Sequence, residues 1–278
     1  MDNALKGRAI TKITVYVMLI FAALLLMVPF YWMIQSSLKL DRDVFTIPIQ
    51  WWPKNPVWSN YVNIWTRIPL LTFLRNTAWL TIVVTCMQLL TSNFAAYAFS
   101  KLRFKGRNIM FLLYVGSIAV PWQAYMVPQY IMFRSMGLVN NHMAIIVLQA
   151  FTAFGVFLTK QFYDSIPNEL IEAARIDGMS EYQIWRKIML PLSKPVLATL
   201  TIFTFVATWN DFMGPRLYLT SQDLWTVQIG MRMFIGQYAS EFGLIMAIAT
   251  VSIVPILIVF LALQRFFVQG IATSGLKG

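Results

Sequence analysis

The chain has 278 residues, of which 58% are hydrophobic and only 12% are charged, and its mean hydropathy is +0.63. Soluble domains carry about 25% charged residues, so this composition excludes an ordinary soluble protein and indicates a membrane protein. The net charge of +11 does not point to nucleic acid, because excess Lys and Arg in a multi-spanning protein normally lies in cytoplasmic loops.

Six segments are long and apolar enough to cross a bilayer, which takes about 20 mostly apolar residues in a helix. They are 13–34, 76–99, 109–132, 143–161, 196–215 and 243–264. The first is too long for the apolar core of a signal peptide, and no small-residue cleavage site follows it, so we expect it to stay in the mature protein. The predicted fold class is an all-α polytopic membrane protein with six transmembrane helices, in which residues 1–278 form a single transmembrane domain.

The distribution of Lys and Arg predicts the orientation of these spans. With the N-terminus in the cytoplasm, most of the 22 Lys and Arg residues fall in inner segments, as the positive-inside rule requires. The turn 101–107, with the sequence KLRFKGR, carries four cations and no acid. Both termini are therefore expected in the cytoplasm. The Trp- and Pro-rich segment 35–75 is expected outside, as an interfacial loop or, alternatively, as a surface that contacts substrate.

A polar segment, 160–195, interrupts the apolar pattern between the fourth and fifth spans. The good helix formers ELIEAARI are followed by Gly178, which suits the C-terminal cap of a short helix. Ser180 and Gln183 have the capping-box spacing, so a second helix is expected to follow at once and to end near Pro191. A first helix this short is marginal alone, and it should therefore dock against a partner.

The same segment carries a family signature. Its residues are Glu172, Ala173 and Ala174, then Gly178 after three further residues, and Ile188, Leu190 and Pro191 after nine more. The pattern resembles, at every signature position, the EAA motif of permease subunits from binding-protein-dependent ABC importers. Further stretches resemble the carbohydrate branch of that family, namely 95–108, 127–141, 208–215 and 265–278. The chain is most similar to the smaller permease subunit of maltose-type importers.

This resemblance implies the type I permease fold of ABC importers and a non-catalytic role in sugar import. Segment 160–195 would be the coupling loop, which sits in a cleft of a cytoplasmic ATP-binding subunit and converts ATP hydrolysis into alternating access. Glu172 would accept a charge-assisted hydrogen bond from that subunit. The alternative is that Glu172 is a solvated surface charge.

The resemblance also implies the partners. They are a second homologous permease subunit in a heterodimer, two ATP-binding subunits, an extracytoplasmic sugar-binding protein and the lipid bilayer of a bacterial plasma membrane, without nucleic acid. The chain contains no GxxxxGK[ST] phosphate-binding loop, so ATP and Mg are expected on the partner ATPase. This chain itself is expected to bind no cofactor or metal and to have no catalytic residue.

Sugars are held by polar groups that match their hydroxyls and by aromatic rings. The substrate-path candidates are Asn93, Trp122, Gln123 and Asn210, and further polar or aromatic residues of the predicted spans are Gln88, Gln149, Tyr125 and Trp209. Hydrogen bonding between helices is the better explanation of each polar residue taken alone. In maltose-type systems, moreover, the other permease subunit supplies most ligand contacts.

Three alternatives stay open. The chain could be a permease for another solute, such as glycerol phosphate or an amino acid, although an anionic solute would favour a cationic cavity and the predicted spans show none. A secondary transporter would need ion-coupling carboxylates or broken helices at the midplane. An intramembrane enzyme would need a set of catalytic residues, and the sequence shows no catalytic or metal-binding motif around its single histidine, His142.

Overall fold

A computed structural model describes residues 2–235 and 241–274, with side chains for residues 11–235 and 241–266. Its α-helices are α1 (Asp2–Ser37), α2 (Asp41–Val44), α3 (Ser59–Thr66), α4 (Leu70–Lys101), α5 (Arg107–Gly116), α6 (Met126–Ser135), α7 (His142–Gln149), α8 (Ala153–Asp164), α9 (Asn168–Ile176), α10 (Glu181–Ile184), α11 (Leu190–Leu192), α12 (Lys194–Trp209), α13 (Met213–Tyr218), α14 (Val227–Met231) and α15 (Phe242–Ser274). Every regular element in the described residues is helical, and the predicted all-α class is confirmed. Met1 and residues 275–278, on which the prediction about the termini partly falls, lie outside the described residues.

Four helical segments in this part of the chain are long and apolar enough to cross a membrane. They are Thr11–Ser37, Leu70–Lys101, His142–Asp164 and Phe242–Phe266. The helical pair Glu181–Leu192 and Lys194–Trp209, bent by 75°, would give a fifth span if it is counted as one. The structure therefore supports four of the six predicted spans, and the predicted span 196–215 corresponds to Lys194–Trp209, which reaches the length of a span only together with Glu181–Leu192.

The third predicted span, 109–132, does not form one continuous helix. The helical stretch Arg107–Ala119 ends before Val120, which is extended with φ −87° and ψ 110°. Pro121 explains this break, because a proline disfavours the helical conformation of the residue before it and has no N–H to donate. A turn of 3₁₀ helix at Trp122–Ala124 then leads into α6.

The described residues form two compact units, of which the first comprises Met1–Pro69 and Met231–Ile253. Within it, the Asn60 amide donates to the carbonyl oxygens of Ser37 and Lys39, at 2.9 and 3.0 Å. These bonds fix the exit of α1 against α3. Trp51, Trp52, Trp58 and Trp65 of this unit are exposed.

The second unit comprises Leu70–Gly230 and Val254–Gly278, and α4 is its central helix. This helix packs against α7, α8 and α12. The contact with α8 is close because Gly155 faces Ser92, and a Cβ added at Gly155 would lie only 2.4 Å from the Ser92 hydroxyl oxygen. Small residues at a crossing let helix backbones approach, which is how helices associate in a membrane.

Candidate functional site

The signature segment begins with α9, which ends in a Schellman cap. The amide of Met179 donates to the Ala174 carbonyl and the amide of Gly178 to the Arg175 carbonyl, both at 3.0 Å. Gly178 has φ +79°, in the left-handed region that glycine adopts without a Cβ penalty. The prediction that Gly178 ends the first short helix is confirmed.

A helical arm, defined as Glu181–Leu192, follows directly. The Ser180 hydroxyl accepts from the Gln183 amide at 3.3 Å and the Gln183 side chain accepts from the Ser180 amide at 2.9 Å, which completes the predicted capping box. The arm contains a π-helical stretch, Trp185–Met189, just before Pro191. Because a proline inside a helix removes one backbone donor, a widened turn at this place accommodates it.

The motif residues face in two directions. Ile171 and Ala174 are buried in a cluster formed with side chains of α4, α8 and the arm, against which Ile188 and Leu190 also pack. The small side chain of Ala174 allows close packing within the chain. Glu172 and Ala173 point away from this cluster and are exposed.

Two apolar side chains are exposed on the same helix: Leu170 is 48% exposed and Ile176 is 87% exposed. Leu170 lies about 100° around the helix from Ile171, and it is exposed where Ile171 is buried.

An ion pair ties α9 to the arm across the turn. Nε of Arg175 donates to the Glu181 carboxylate at 2.7 Å, and the Tyr97 hydroxyl of α4 donates to the same carboxylate at 2.5 Å. The bond from Arg175 holds the pKa of the Glu181 carboxyl below its usual value, and the carboxylate raises the pKa of Arg175. Glu172 forms no ion pair within the described residues, which leaves its carboxylate available to a partner.

The amide of Asn93 is the point at which the arm meets the spans. Its Oδ1 accepts from the Tyr163 hydroxyl at 2.8 Å and from Nε1 of Trp185 at 2.5 Å, and its Nδ2 faces the Ser193 hydroxyl at 3.4 Å. Asn93 is 1% exposed. These contacts connect α4, through Asn93, to α8, to the arm and to the bend before α12. Asn93 thus has the interhelical role that was the alternative to a place in the substrate path.

Replacing Asn93 with Ala should destabilise this junction. Two buried donors, on Tyr163 and Trp185, would lose their acceptor, at about 1–3 kcal/mol each. Ser193→Ala is the matched control: it removes the 3.4 Å contact with Asn93 and a bond to the Leu190 carbonyl, but it should cost less because Tyr163 and Trp185 keep Asn93 as their acceptor. Thermal unfolding of the purified transporter would measure both, and equal losses would show that Asn93 is not the centre of the junction.

A second candidate site is a cavity of about 450 Å³ next to α4 and α12. It is lined by Gln88, Gln149, Thr152, Phe154, Phe203, Thr204, Ala207, Thr208 and Asp211. The lining thus combines hydroxyl, amide and carboxylate groups with two aromatic rings, and it contains no Lys, Arg or His. Such a surface suits a neutral ligand rich in hydroxyls.

Hydrogen bonds connect the polar side chains of this cavity. The Thr204 hydroxyl donates to Gln88 Oε1 at 2.8 Å, and Gln88 Nε2 donates to the Gln149 carbonyl at 2.7 Å. The Gln149 amide in turn donates to the Asp211 carboxylate at 2.7 Å and accepts from the Thr208 hydroxyl at 3.0 Å. The Gln149 carbonyl lies at the end of α7 and has no helical N–H to accept from, so the bond from Gln88 supplies the donor that a carbonyl inside a membrane requires.

The substrate-path candidates predicted from the sequence lie elsewhere. Nε1 of Trp122 donates to Gln129 at 2.8 Å, Gln123 is exposed, and the exposed Asn210 donates to the Val206 carbonyl at 3.0 Å. None of them lines the cavity. Sequence reasoning missed its threonines, although Thr204, Thr208 and Asp211 recur at intervals of four and three residues, the spacing of one helix face.

The sequence profile of the family described as "binding-protein-dependent transport system inner membrane component" matches residues 88–273. The chain belongs to this family. The match covers α4 from Gln88 onward, segment 160–195 and the cavity residues. The protein is thus a multi-pass membrane permease subunit of the ABC importer class.

Named relatives place the permease in the carbohydrate branch. It is 35% identical to the arabinooligosaccharides transport system permease protein AraQ of Halalkalibacterium halodurans, over 88% of this chain and 87% of that protein. It is 32% identical to the melibiose/raffinose/stachyose import permease protein MelC of Bacillus subtilis, over 90% and 91% of the two chains. The resemblance to sugar-importer permeases is therefore confirmed.

A solved structure has the same fold. A chain from a bacterial ABC transporter involved in the import of the acidic polysaccharide alginate superimposes on the permease with a TM-score of 0.80, at 26% identity, over 93% of this chain and 96% of that one. The predicted type I importer fold is confirmed.

Proposed function

We propose that this permease couples ATP hydrolysis on a partner subunit to sugar import through segment 160–195. The observation that carries the proposal is the outward face of α9, where Glu172, Ala173 and Ile176 are exposed on a helix that is fixed at both ends. The Schellman cap and the Arg175–Glu181 pair fix its C-terminal end.

The N-terminal end of α9 is fixed as well. Nζ of Lys101 donates to the Ile166 carbonyl at 2.7 Å and to the Asn168 side chain at 2.9 Å. A helix held in this way can transmit a displacement rather than absorb it. Glu172, Ala173 and Gly178 would form or position the docking surface, whereas Ala174, Ile188, Leu190 and Pro191 would hold that surface in place.

The complex we propose contains a second permease subunit, two ATP-binding subunits that carry ATP and Mg, and an extracytoplasmic sugar-binding protein. Residues 1–278 would act as one transmembrane domain with six crossings, in which 109–132 crosses as a broken span. The substrate path would run through the cavity beside α4 and α12. Its Asp211 and its lack of cations favour a neutral oligosaccharide over an acidic one.

Purification tests the assembly and transport tests the substrate. Affinity-tagged permease should bring down an ATP-binding subunit and a second permease. The reconstituted complex should take up neutral oligosaccharides and should discriminate against those that contain uronic acids. Isolation of the permease alone, or equal uptake of both sugar classes, would contradict the corresponding half of the proposal.

The proposed orientation places both termini and segment 160–195 in the cytoplasm, because most cations lie on that side. Cysteines introduced at Lys105 and Ser180 should react with a membrane-impermeant thiol reagent only from the cytoplasmic side, and a cysteine at Asn55 only from outside. Cys86 is a free, exposed thiol and should first be replaced by Ala. The opposite labelling pattern would invert the topology.

A further inference from the structure

A small cationic cavity lies between the turn that follows α4 and helix α9. It has a volume of about 210 Å³, and four cations, Lys101, Arg103, Arg107 and Arg175, line it together with a single acid, Glu172. The cavity is formed partly by the turn 101–107 and partly by α9 of segment 160–195.

Not all of these cations are free to bind a ligand. Lys101 already donates hydrogen bonds to the Ile166 carbonyl and the Asn168 side chain, and Arg175 donates to the Glu181 carboxylate. Arg103, in contrast, forms no hydrogen bond or ion pair within the residues that the structure describes. The binding capacity of the cavity therefore rests mainly on Arg103.

Arg107 supplies the second donor group. Its Nη1 donates to the Leu102 carbonyl at 3.0 Å and its Nε lies 3.4 Å from the Asn108 side chain, so Nη2 remains for an external acceptor. The planar fork of an arginine matches the oxygens of a phosphate group better than an ammonium does. Two such forks on one turn form an anion site.

The surroundings of the two arginines identify the kind of anion. Arg103 and Arg107 also line a second, more open cavity of about 570 Å³, on the side of Phe104 and Ile109. Beyond it, Ile109, Leu112 and Leu113 of α5 are 66%, 71% and 71% exposed. The cations thus continue directly into an apolar surface, an arrangement that fits an amphiphile rather than a free ion.

The position in the bilayer agrees with this chemistry. The span Leu70–Lys101 ends at the turn, and the apolar helical stretch Arg107–Ala119 begins after it. The arginines therefore lie at the depth of lipid headgroups, where basic pockets between membrane helices bind anionic lipids.

We propose that Arg103 and Arg107 bind the phosphate of an anionic phospholipid, whose acyl chains lie along Phe104 and the exposed face of α5. The same cavity contains Glu172 and Arg175 of α9, so the bound headgroup would lie beside that helix. The site does not depend on which sugar is carried, but it shares Glu172 with the docking surface of the proposed function.

Native mass spectrometry of the purified transporter, equilibrated with phosphatidylglycerol or phosphatidylcholine, tests the site. The wild-type protein should retain phosphatidylglycerol preferentially. Arg103→Gln should weaken its apparent affinity about fivefold, because a cation near an anionic surface contributes on this order, and the additional change Arg107→Gln should weaken it further. Arg103→Gln by itself disturbs no internal hydrogen bond, so its effect reports on lipid binding rather than on folding.

Lys105→Gln is the matched control, since Lys105 belongs to the same turn but lines neither cavity. This variant should bind phosphatidylglycerol like the wild type. An equal loss in Lys105→Gln would reduce the effect to general surface charge and overturn the site. Equal retention of the two lipids, or displacement of phosphatidylglycerol by excess inorganic phosphate, would overturn the assignment to a lipid headgroup.

Discussion

Replacing Gly178 with Val is expected to leave the permease in the membrane while abolishing the link between ATP hydrolysis and sugar uptake. Gly178 has φ +79°, where a non-glycine residue costs about 1 kcal/mol or more and a β-branched one is tolerated worst. Relief of this strain would open the Schellman cap and change the angle between α9 and the arm. Hydrolysis and uptake should be measured together in the reconstituted complex.

Two comparisons make this test specific. A Cβ at Gly178 meets no heavy atom within 4 Å, so a substitution there causes no steric clash. The loss of coupling should therefore depend only on how well each residue tolerates a positive φ, and the Ala and Asn variants should lose less coupling than the Val variant. Gly137→Val imposes the same kind of strain at φ +69°, also in open space but outside the coupling segment. It should lower stability without uncoupling. If both Val variants behaved alike, the bend at Gly178 would have no special part in coupling.

Replacing Glu172 with Ala is expected to weaken the association with the ATP-binding subunit by about 2–5 kcal/mol, because the partner's cation would stay buried without its acceptor. Sugar uptake should fall with it, whereas membrane insertion should not change. Quantitative co-purification of the ATP-binding subunit over a range of salt concentrations would measure the loss.

Glu169→Ala is the control for this experiment. Glu169 is an exposed acid in the first turn of the same helix, and it lies outside the signature. Its removal changes the net charge equally but should leave assembly and uptake near wild-type values. Equal effects of the two substitutions would mean that the partner responds to overall charge and that Glu172 has no docking contact of its own.

Features that depend on neighbouring residues were predictable from the sequence. Gly178 and the Ser180–Gln183 pair define a cap and a capping box through local backbone geometry, and the structure has both. The break at Pro121 has a local cause too, but the apolar composition of 109–132 hid it, since hydropathy does not register a missing backbone donor.

The cavity and the Asn93 junction were not predictable in this way. Gln88, Gln149 and Asp211 are far apart in the sequence and meet because α4 packs against α7, which ends at Gln149, and against α12, which ends just before Asp211. Asn93 has the residue type of a ligand-binding group, yet its partners come from two other helical segments. Composition gives the type of a polar residue, whereas tertiary packing decides whether it meets a ligand or another side chain.

The arrangement along α4 has a mechanical consequence. Gln88 of the cavity and Asn93 of the junction are five residues apart on one unbroken helix, a separation of about 7.5 Å along its axis. A helical segment this short deforms little, so a displacement of Trp185, which is bonded to Asn93, should be passed on to Gln88 in the lining of the cavity. A substitution that makes α4 more flexible between Gln88 and Asn93 should therefore lower the transport rate more than a substitution on the exposed face of α4.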